Sequence, residues 1–138
     1  MQELNPPRAP SPPLGELYQR RVVMEAMTIA SATAKVPIAE IISKGRKRAR
    51  AAFARQLAMY LSHVGGKLSL GEVAIEFERD RTTVAHACHA IEDRRDCPVF
   101  DAQIDYLEGA LAYRIEMIVE DARRRPQRYL ESKSAICA

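Results

Sequence analysis

The chain has 138 residues, of which 47% are hydrophobic and 6% aromatic, and it carries 21 lysines and arginines against 18 aspartates and glutamates. This length suits one domain with a buried core, and the scarcity of aromatic and β-branched stretches argues against a β-sandwich or barrel. The three cysteines form no CxxC pair. The sequence also has no apolar run of the ~20 residues that span a bilayer and no signal or transit pattern. These features predict a soluble, cytoplasmic protein. We therefore expect an all-α fold.

The first half of the chain predicts a tail, two helices, a basic loop and a long helix. Residues 1–14 contain five prolines and predict a disordered tail. A helix is expected over residues 16–33, and a short apolar helical turn follows Pro37. The sequence Ser-Lys-Gly-Arg-Lys-Arg at 43–48 then predicts a basic loop. An alanine-rich helix follows to residue 64, where two consecutive glycines end it.

The second half predicts three more helices. Ser69 with Glu72 three residues later forms a capping box that opens a short helix through Phe77. A tight connection at 78–80 leads to a helix over 81–95. Pro98 interrupts the chain, and an apolar stripe marks a last helix that reaches about residue 122: Ile104, Leu107, Leu111 and Ile115. We expect a compact domain of about six helices over 15–122, with a basic tail at 123–138.

The segment 69–95 has the dimensions of a helix-turn-helix. Its second helix would place Val84, Cys88 and Ile91 on one side. Thr82, His86 and His89 would lie on nearly the opposite side. In this motif the second helix lies in the major groove of DNA, with its first residues against base edges.

The first residues of that helix have side chains suited to reading bases. Arg81 can donate two hydrogen bonds to guanine, and Asp80 can accept one from cytosine. A threonine methyl group can pack on thymine, and the free N–H groups of the helix start can hold a phosphate.

Two separated motifs resemble one known family. Residues 79–88, Arg-Asp-Arg-Thr-Thr-Val-Ala-His-Ala-Cys, look like the signature of the carboxyl-terminal DNA-binding domain (domain IV) of the bacterial replication initiator DnaA. Residues 41–48 and 55–61 are similar to that domain's basic loop and long helix. The resemblance covers about residues 30–96. It implies a Trp-repressor-like helical fold that binds double-stranded DNA at A/T-rich initiator boxes.

The resemblance also implies roles for single positions. The residues that match Asp80, Arg81 and Thr82 read bases in the major groove. An arginine of the basic loop, here Arg46 or Arg48, enters the adjacent minor groove, where A/T-rich sequence concentrates negative potential. Lys47 lies in the same loop. Other positions of the family hold phosphates or support the site. The residues that match them here are Lys44, Arg55, Gln56, Thr83 and His86.

The sequence departs from the family pattern at several positions. Arg81 stands where the family usually has histidine, Ala54 replaces a proline before Arg55, and Ala90 replaces a residue that is commonly basic. The turn before Arg79 looks one residue shorter, and the basic loop one residue longer. These differences predict an altered or relaxed base specificity with phosphate binding retained.

The printed sequence contains no G-x-x-x-x-G-K-[ST] phosphate loop, so we expect no ATPase, no cofactor and no enzymatic activity. Stand-alone proteins that resemble only this domain occur in some alphaproteobacteria. The expected function is regulation of replication initiation, or of transcription, by a nucleoid-associated monomer or weak dimer. The alternative is a protein–protein modulator of the initiator or of its inactivation machinery, with DNA contact secondary.

Several residues also have plainer explanations. Asp80, Thr82 and Thr83 could cap a helix. Four residues have side chains that can bind a metal ion: His86, Cys88, His89 and Cys97. A metal site is disfavoured because their spacing does not allow tetrahedral coordination. Cys88 is better explained as a buried small hydrophobe.

The arginines of 123–128 form either a solvated helix end or an extension of the phosphate footprint. The last helix completes the core, and it could also form a dimer seam or partner surface.

Overall fold

The computed structural model describes residues 15–45 and 49–130, and within these ranges the chain is helical and has no strand. The α-helices are α1 (Gly15–Ala34), α2 (Ile38–Ile42), α3 (Ala49–Tyr60), α4 (Leu70–Phe77), α5 (Arg81–Arg94) and α6 (Pro98–Arg124). Residues 126–130 add a helical turn. The predicted all-α fold is confirmed. The predicted tail at 1–14, loop residues 46–48 and residues 131–138 lie outside the described part of the chain.

Helices α1 and α3 form the centre of the core. Helix α1 buries one side, where Val23, Met27 and Ala30 recur at i, i+4 and i+7 and are 1%, 4% and 0% exposed. In α3, Leu57 is fully buried, whereas Phe53 is only partly covered. Helix α3 packs against α1 and α5, and α6 packs against α1. None of the described helices is both long enough and apolar enough to traverse a bilayer.

The long helix ends at the predicted glycine pair, but its last turn is wider than an α-helix. Residues Leu61–Gly65 form a π-helical segment in which the N–H of Gly66 donates to the carbonyl of Leu61, five residues back, at 2.8 Å. A Cβ atom at Gly66 would lie 2.6 Å from the carbonyl oxygen of Ser62 and 2.7 Å from Val22 Cγ1. Position 66 therefore requires glycine, because a Cβ atom would collide with the backbone of the preceding turn and with a side chain of α1.

Helix α4 opens with the predicted capping box. Ser69 Oγ accepts from the N–H of Glu72 at 3.0 Å, and Glu72 Oε1 accepts from the N–H of Ser69 at 2.8 Å. The helix stops at Glu78, whose left-handed φ of 54° turns the chain towards α5. This short helix, its tight turn and α5 confirm the predicted helix-turn-helix.

Helix α6 begins six residues before the apolar stripe that predicted it. Pro98 is its first residue, a position where the missing N–H of proline removes no helical hydrogen bond. Ile104 and Leu111 are buried as predicted, and Leu107 and Ile115 are partly buried. Pro98 therefore starts the helix, and α6 is 27 residues long.

The chain after α6 returns to α1 through Tyr129. This side chain is 1% exposed, and its hydroxyl accepts from Arg21 Nη1 at 2.6 Å and donates to Asp121 Oδ2 at 2.8 Å. Arg21 also pairs with Asp121 at 2.9 Å. Residues 123–130, the described part of the predicted basic tail, thus contain a buried anchor that no sequence pattern marked.

Candidate nucleic-acid interface

The two sides of α5 have opposite environments, as its sequence period predicts. Val84, Ala87, Cys88 and Ile91 are buried against the core. The predicted contact residues are exposed: Asp80, Arg81, Thr82, Thr83 and His86. The buried side packs on α3 and α4. On the other side, the first two turns of α5 are therefore exposed, while the packing on α3 and α4 holds the helix in place.

The start of α5 has an N-cap residue whose side chain does not cap. Asp80 occupies the N-cap position with φ −72° and ψ 152°, and its carboxylate makes no capping hydrogen bond. Thr82 and Thr83 lie inside the first turn, so neither residue is the cap. An α-helix leaves its first N–H groups without intrahelical partners. The carboxylate, the two hydroxyls and these N–H groups together form a polar helix end suited to base and phosphate contacts.

Arg81 lies beside the first turn of α4. A Cβ atom at Gly71 would lie 3.9 Å from Cδ and Nε of Arg81, so the side chain passes over this glycine at ordinary contact distance. A methyl group at position 71 would therefore contact the arginine stem without displacing it. The guanidinium remains exposed beside Asp80 at the tip of the helix-turn-helix.

Two arginines attach the beginning of the basic loop to this motif. Arg55 of α3 donates from Nε to the carbonyl of Ile41 at 2.8 Å and from Nη2 to the carbonyl of Ser43 at 3.0 Å. Arg79, in the turn before α5, donates from Nη2 to the same Ser43 carbonyl at 2.9 Å. Burial lowers the pKa of the Arg55 guanidinium, and the nearby charge of Arg79 lowers it further. The loop start is thus fixed to α3 and to the turn at once.

A surface ion pair lies next to these bonds. Lys44 Nζ is 3.1 Å from Glu78 Oε1, and both side chains are largely exposed. The pair is worth little stability on its own, because solvent screens exposed charges. Its geometry nevertheless brings the predicted Lys44 to the turn that precedes Asp80.

The predicted site residues therefore divide into three groups. The first group lies where the start of α5 meets the start of the basic loop, and it consists of Lys44, Asp80, Arg81, Thr82, Thr83 and His86. Gln56 is half-buried on α3, and Arg55 is occupied with backbone carbonyls. The third group, Arg46, Lys47 and Arg48, lies outside the described residues.

Sequence reasoning gave no role to Arg79, Ser43 or Glu78. Arg79 was part of the signature, but its partner is a backbone carbonyl 36 residues away. No local spacing encodes a contact with a backbone atom. The only signal in the sequence is an arginine at the turn, and its neighbours in the sequence do not indicate what it contacts.

The carboxyl end of α5 is tied to acids and aromatic rings. Arg95 bonds to Asp101, Asp105 and Glu108 of α6 and donates to the hydroxyl of Tyr60 at 2.8 Å. Its neighbour Arg94 lies over two rings, 4.7 Å from the centroid of Phe53 and 4.4 Å from that of Phe100. These three acidic residues of α6 therefore lie at the opposite end of α5 from the exposed polar tip.

The four residues considered for a metal do not form a cluster. Cys88 is buried, and this burial, aided by the charge of Glu92, raises the pKa of its thiol to about 11. Cys97 is exposed at the N-cap of α6, and His89 Nδ1 lies 3.7 Å from Glu92 Oε1. Among the described residues no group of three or more potential ligands is placed to hold a metal ion.

The fold and this surface define a DNA-binding protein of the helix-turn-helix class. A family model described as the bacterial dnaA protein helix-turn-helix matches residues 23–91, which is half of the chain. The chain belongs to this family, and the resemblance to the carboxyl-terminal domain of DnaA is confirmed.

Relatives of known identity agree with this assignment. The chromosomal replication initiator protein DnaA of Desulfotalea psychrophila is 36% identical over 81 residues, which cover 57% of this chain and 16% of that protein. A crystal structure of a DNA replication initiation factor matches with a TM-score of 0.64 at 30% identity, covering 72% of this chain and 30% of that one.

A second solved structure, the replication initiator DnaA bound to AMPPCP and single-stranded DNA, matches with a TM-score of 0.63 at 31% identity. That match covers 70% of this chain and 30% of the other. The chain thus spans less than a third of the length of each of these three relatives.

Proposed function

We propose that this protein binds double-stranded DNA sequence-specifically at DnaA-box-like sites and regulates replication initiation, or transcription, on the nucleoid without an ATPase of its own. The observation that carries the proposal is the shared Ser43 carbonyl, which holds the start of the basic loop in a fixed position relative to the exposed end of α5. A fixed spacing of this kind lets one protein contact two adjacent grooves of the same duplex.

The exposed end of α5 supplies the major-groove contacts. Asp80, Arg81 and Thr82 are exposed at the start of α5, where the Asp80 side chain makes no capping hydrogen bond. Their donors and acceptors can therefore meet base edges. Thr83 and His86 follow on the same helix and are suited to phosphate contacts that set the position of the helix along the groove.

The basic loop supplies the minor-groove contact. Its described part ends at Gly45, beside the turn, and Arg46 and Arg48 follow in the sequence. Arginine is drawn into narrow A/T-rich minor grooves by their negative potential. Lys44, Lys47 and Gln56 add phosphate contacts. Arg55 supports the loop, because three backbone carbonyls accept its hydrogen bonds.

Binding assays with matched duplexes test this function. The protein is titrated against a fluorescent duplex that contains an initiator box and against a scrambled duplex, at two salt concentrations. We expect tighter binding to the box and an affinity that falls with salt by a log–log slope of about one unit per phosphate contact. Equal affinities for both duplexes would reject sequence-specific binding.

Protein–protein modulation of the initiator or of its inactivation machinery is the second candidate. It is favoured by α6, which lies outside the family-matched residues 23–91 and leaves large apolar side chains exposed. The double variant Arg81→Ala with Thr82→Ala distinguishes the two. A cellular effect on replication that persists after DNA binding is lost would favour the second candidate, and loss of both would favour the first.

A further inference from the structure

The outer side of α6 carries a stripe of exposed apolar side chains. Its four large members are strongly exposed: Val99 69%, Tyr106 76%, Tyr113 64% and Met117 58%. Ala102 and Gly109 lie between them, and these six residues are the outer stripe. Val99, Tyr106 and Tyr113 are seven residues apart, which keeps them on one side of a helix over about 27 Å from Val99 to Met117. A continuous exposed stripe of this kind marks an interaction surface.

The outer stripe is separate from the core side of the same helix. Phe100, Ile104, Leu111 and Ile118 face the domain and are buried against it. Helix α6 packs on α1 and on the π-helical segment, whereas α5 packs on α3 and α4. The helix therefore has two apolar sides, and the outer one is not used by the described core or by the proposed DNA contacts.

We infer that the outer stripe binds the α6 of a second copy of this chain, antiparallel, about a two-fold axis near Gly109. A Cβ atom at Gly109 would meet nothing within 4 Å, so two helix backbones can approach closely there. The stripe is nearly symmetric about this point. An axis between positions 109 and 110 places Tyr106 opposite Tyr113 of the second copy and Ala102 opposite its Met117.

A groove at the start of α6 provides space for the opposing methionine. It lies between the end of α1 and the first turns of α6, and most of its lining residues are apolar: Thr33, Pro98, Val99, Ala102, Gln103, Tyr106 and Leu107. In the antiparallel arrangement Met117 of the second copy comes to this groove. An unbranched, flexible side chain is well suited to fill such an irregular space.

The charges at the two ends of α6 select the antiparallel direction. At the amino end, the carboxylates Asp101, Asp105 and Glu108 share the single cation Arg95. At the other end, Arg21 of α1 and four arginines of the carboxyl-terminal segment share the two carboxylates Glu120 and Asp121: Arg123, Arg124, Arg125 and Arg128. The described side chains thus leave one end net negative and the other net positive. An antiparallel copy places unlike charges opposite each other, and a parallel copy places like charges together.

Sedimentation of the full-length chain tests whether the pair forms. We expect a reversible dimer that each of the single variants Tyr106→Glu and Tyr113→Glu weakens by roughly 30-fold, the effect of losing a central aromatic contact. The control is Ile75→Glu on α4, where an equally exposed apolar residue (69%) lies off the stripe, and it should sediment like the parent. A parent chain that remains monomeric at all accessible concentrations, or tyrosine variants that dimerise like the parent, would overturn the inference.

Disulfide trapping tests the direction of the pair. In a background with Cys97→Ser and Cys137→Ser, Gly109→Cys lies next to the two-fold axis and should cross-link to its own copy. Val99→Cys lies at one end of the stripe and should not. Cross-linking of Val99→Cys to itself, or none at Gly109→Cys, contradicts the antiparallel arrangement. The outcome is independent of DNA, so its failure is distinguishable from failure of the proposed DNA binding.

Discussion

Arg55 and Arg79 donate to the same atom, the carbonyl oxygen of Ser43, at 3.0 and 2.9 Å. The two arginines lie on different elements, α3 and the turn before α5, so the shared acceptor joins the basic loop to both. A carbonyl oxygen has two lone pairs and can accept both hydrogen bonds. Arg79 also donates to the carbonyl of Phe77 at 3.2 Å, which fixes the turn itself.

Removing Arg79 should weaken DNA binding without removing a phosphate contact. We expect Arg79→Ala to lower the affinity for a box duplex by roughly tenfold, since hydrogen bonds to charged donors contribute about 1.5–3 kcal/mol and here orient the loop. Fluorescence anisotropy at several salt concentrations measures both effects. The log–log salt slope should stay unchanged, and a slope smaller by about one unit would show that Arg79 contacts a phosphate directly.

Exchanging Arg81 should change which base is preferred at one position. Arg81→His installs the residue usual in the family, and we expect discrimination at that position to shift by about 1–3 kcal/mol, because arginine and histidine present different donors to guanine. Competition among duplexes that differ at single base pairs measures this shift. His86→Ala is the control and should weaken all duplexes to a similar extent. An unchanged base preference for Arg81→His would mean that Arg81 does not read the sequence.

Tyr129 should contribute to stability through both its ring and its hydroxyl. Tyr129→Phe keeps the buried ring but leaves Arg21 and Asp121 without their shared partner, and we expect a loss of about 1 kcal/mol in the free energy of unfolding. Tyr129→Ala should cost about 3–5 kcal/mol. Urea unfolding provides the measurement. Leu130→Ala, at a 54% exposed neighbour, is the control and should stay within about 0.5 kcal/mol of the parent.

Acid should loosen this anchor. The hydrogen bond from Tyr129 lowers the pKa of Asp121, and Arg125 and Arg21 lower it further. A carboxyl whose pKa is lower in the folded state stabilises the protein above its unfolded pKa of about 3.9, and this contribution is lost as pH falls through the lower folded value. Thermal unfolding between about pH 5 and about pH 2 measures the loss. In Asp121→Asn the decrease over this interval should be smaller, and an identical decrease would show that another group is responsible.

The helix-turn-helix could be predicted because its signals are local. The capping box needs only Ser69 and Glu72, and the two sides of α5 follow from the helical period. The early start of α6 was missed even though Phe100, four residues before Ile104, extends the buried stripe, because Pro98 was expected to interrupt the chain. Proline at a helix start also has the same sequence appearance as proline in a break.

Contacts across long sequence distances were not predictable from one sequence. Tyr129 reaches Arg21 over 108 positions, and Arg79 reaches Ser43 over 36. Each contact depends on how whole helices pack, and one partner is a backbone atom that is the same for every residue type. The residues at the tip of α5 were predicted, whereas the supports that hold the loop beside them were found only in three dimensions.

The Tyr129 anchor has a consequence for re-engineering the chain. It brings the two ends of the described domain together: a Cβ atom at Gly15 would lie 3.5 Å from the carbonyl oxygen of Tyr129. Neighbouring ends of this kind tolerate circular permutation. A short linker from residue 130 to residue 15, with new ends opened at the exposed step between Asp96 and Cys97, would make α6 precede α1 in sequence and leave the helix-turn-helix uncut.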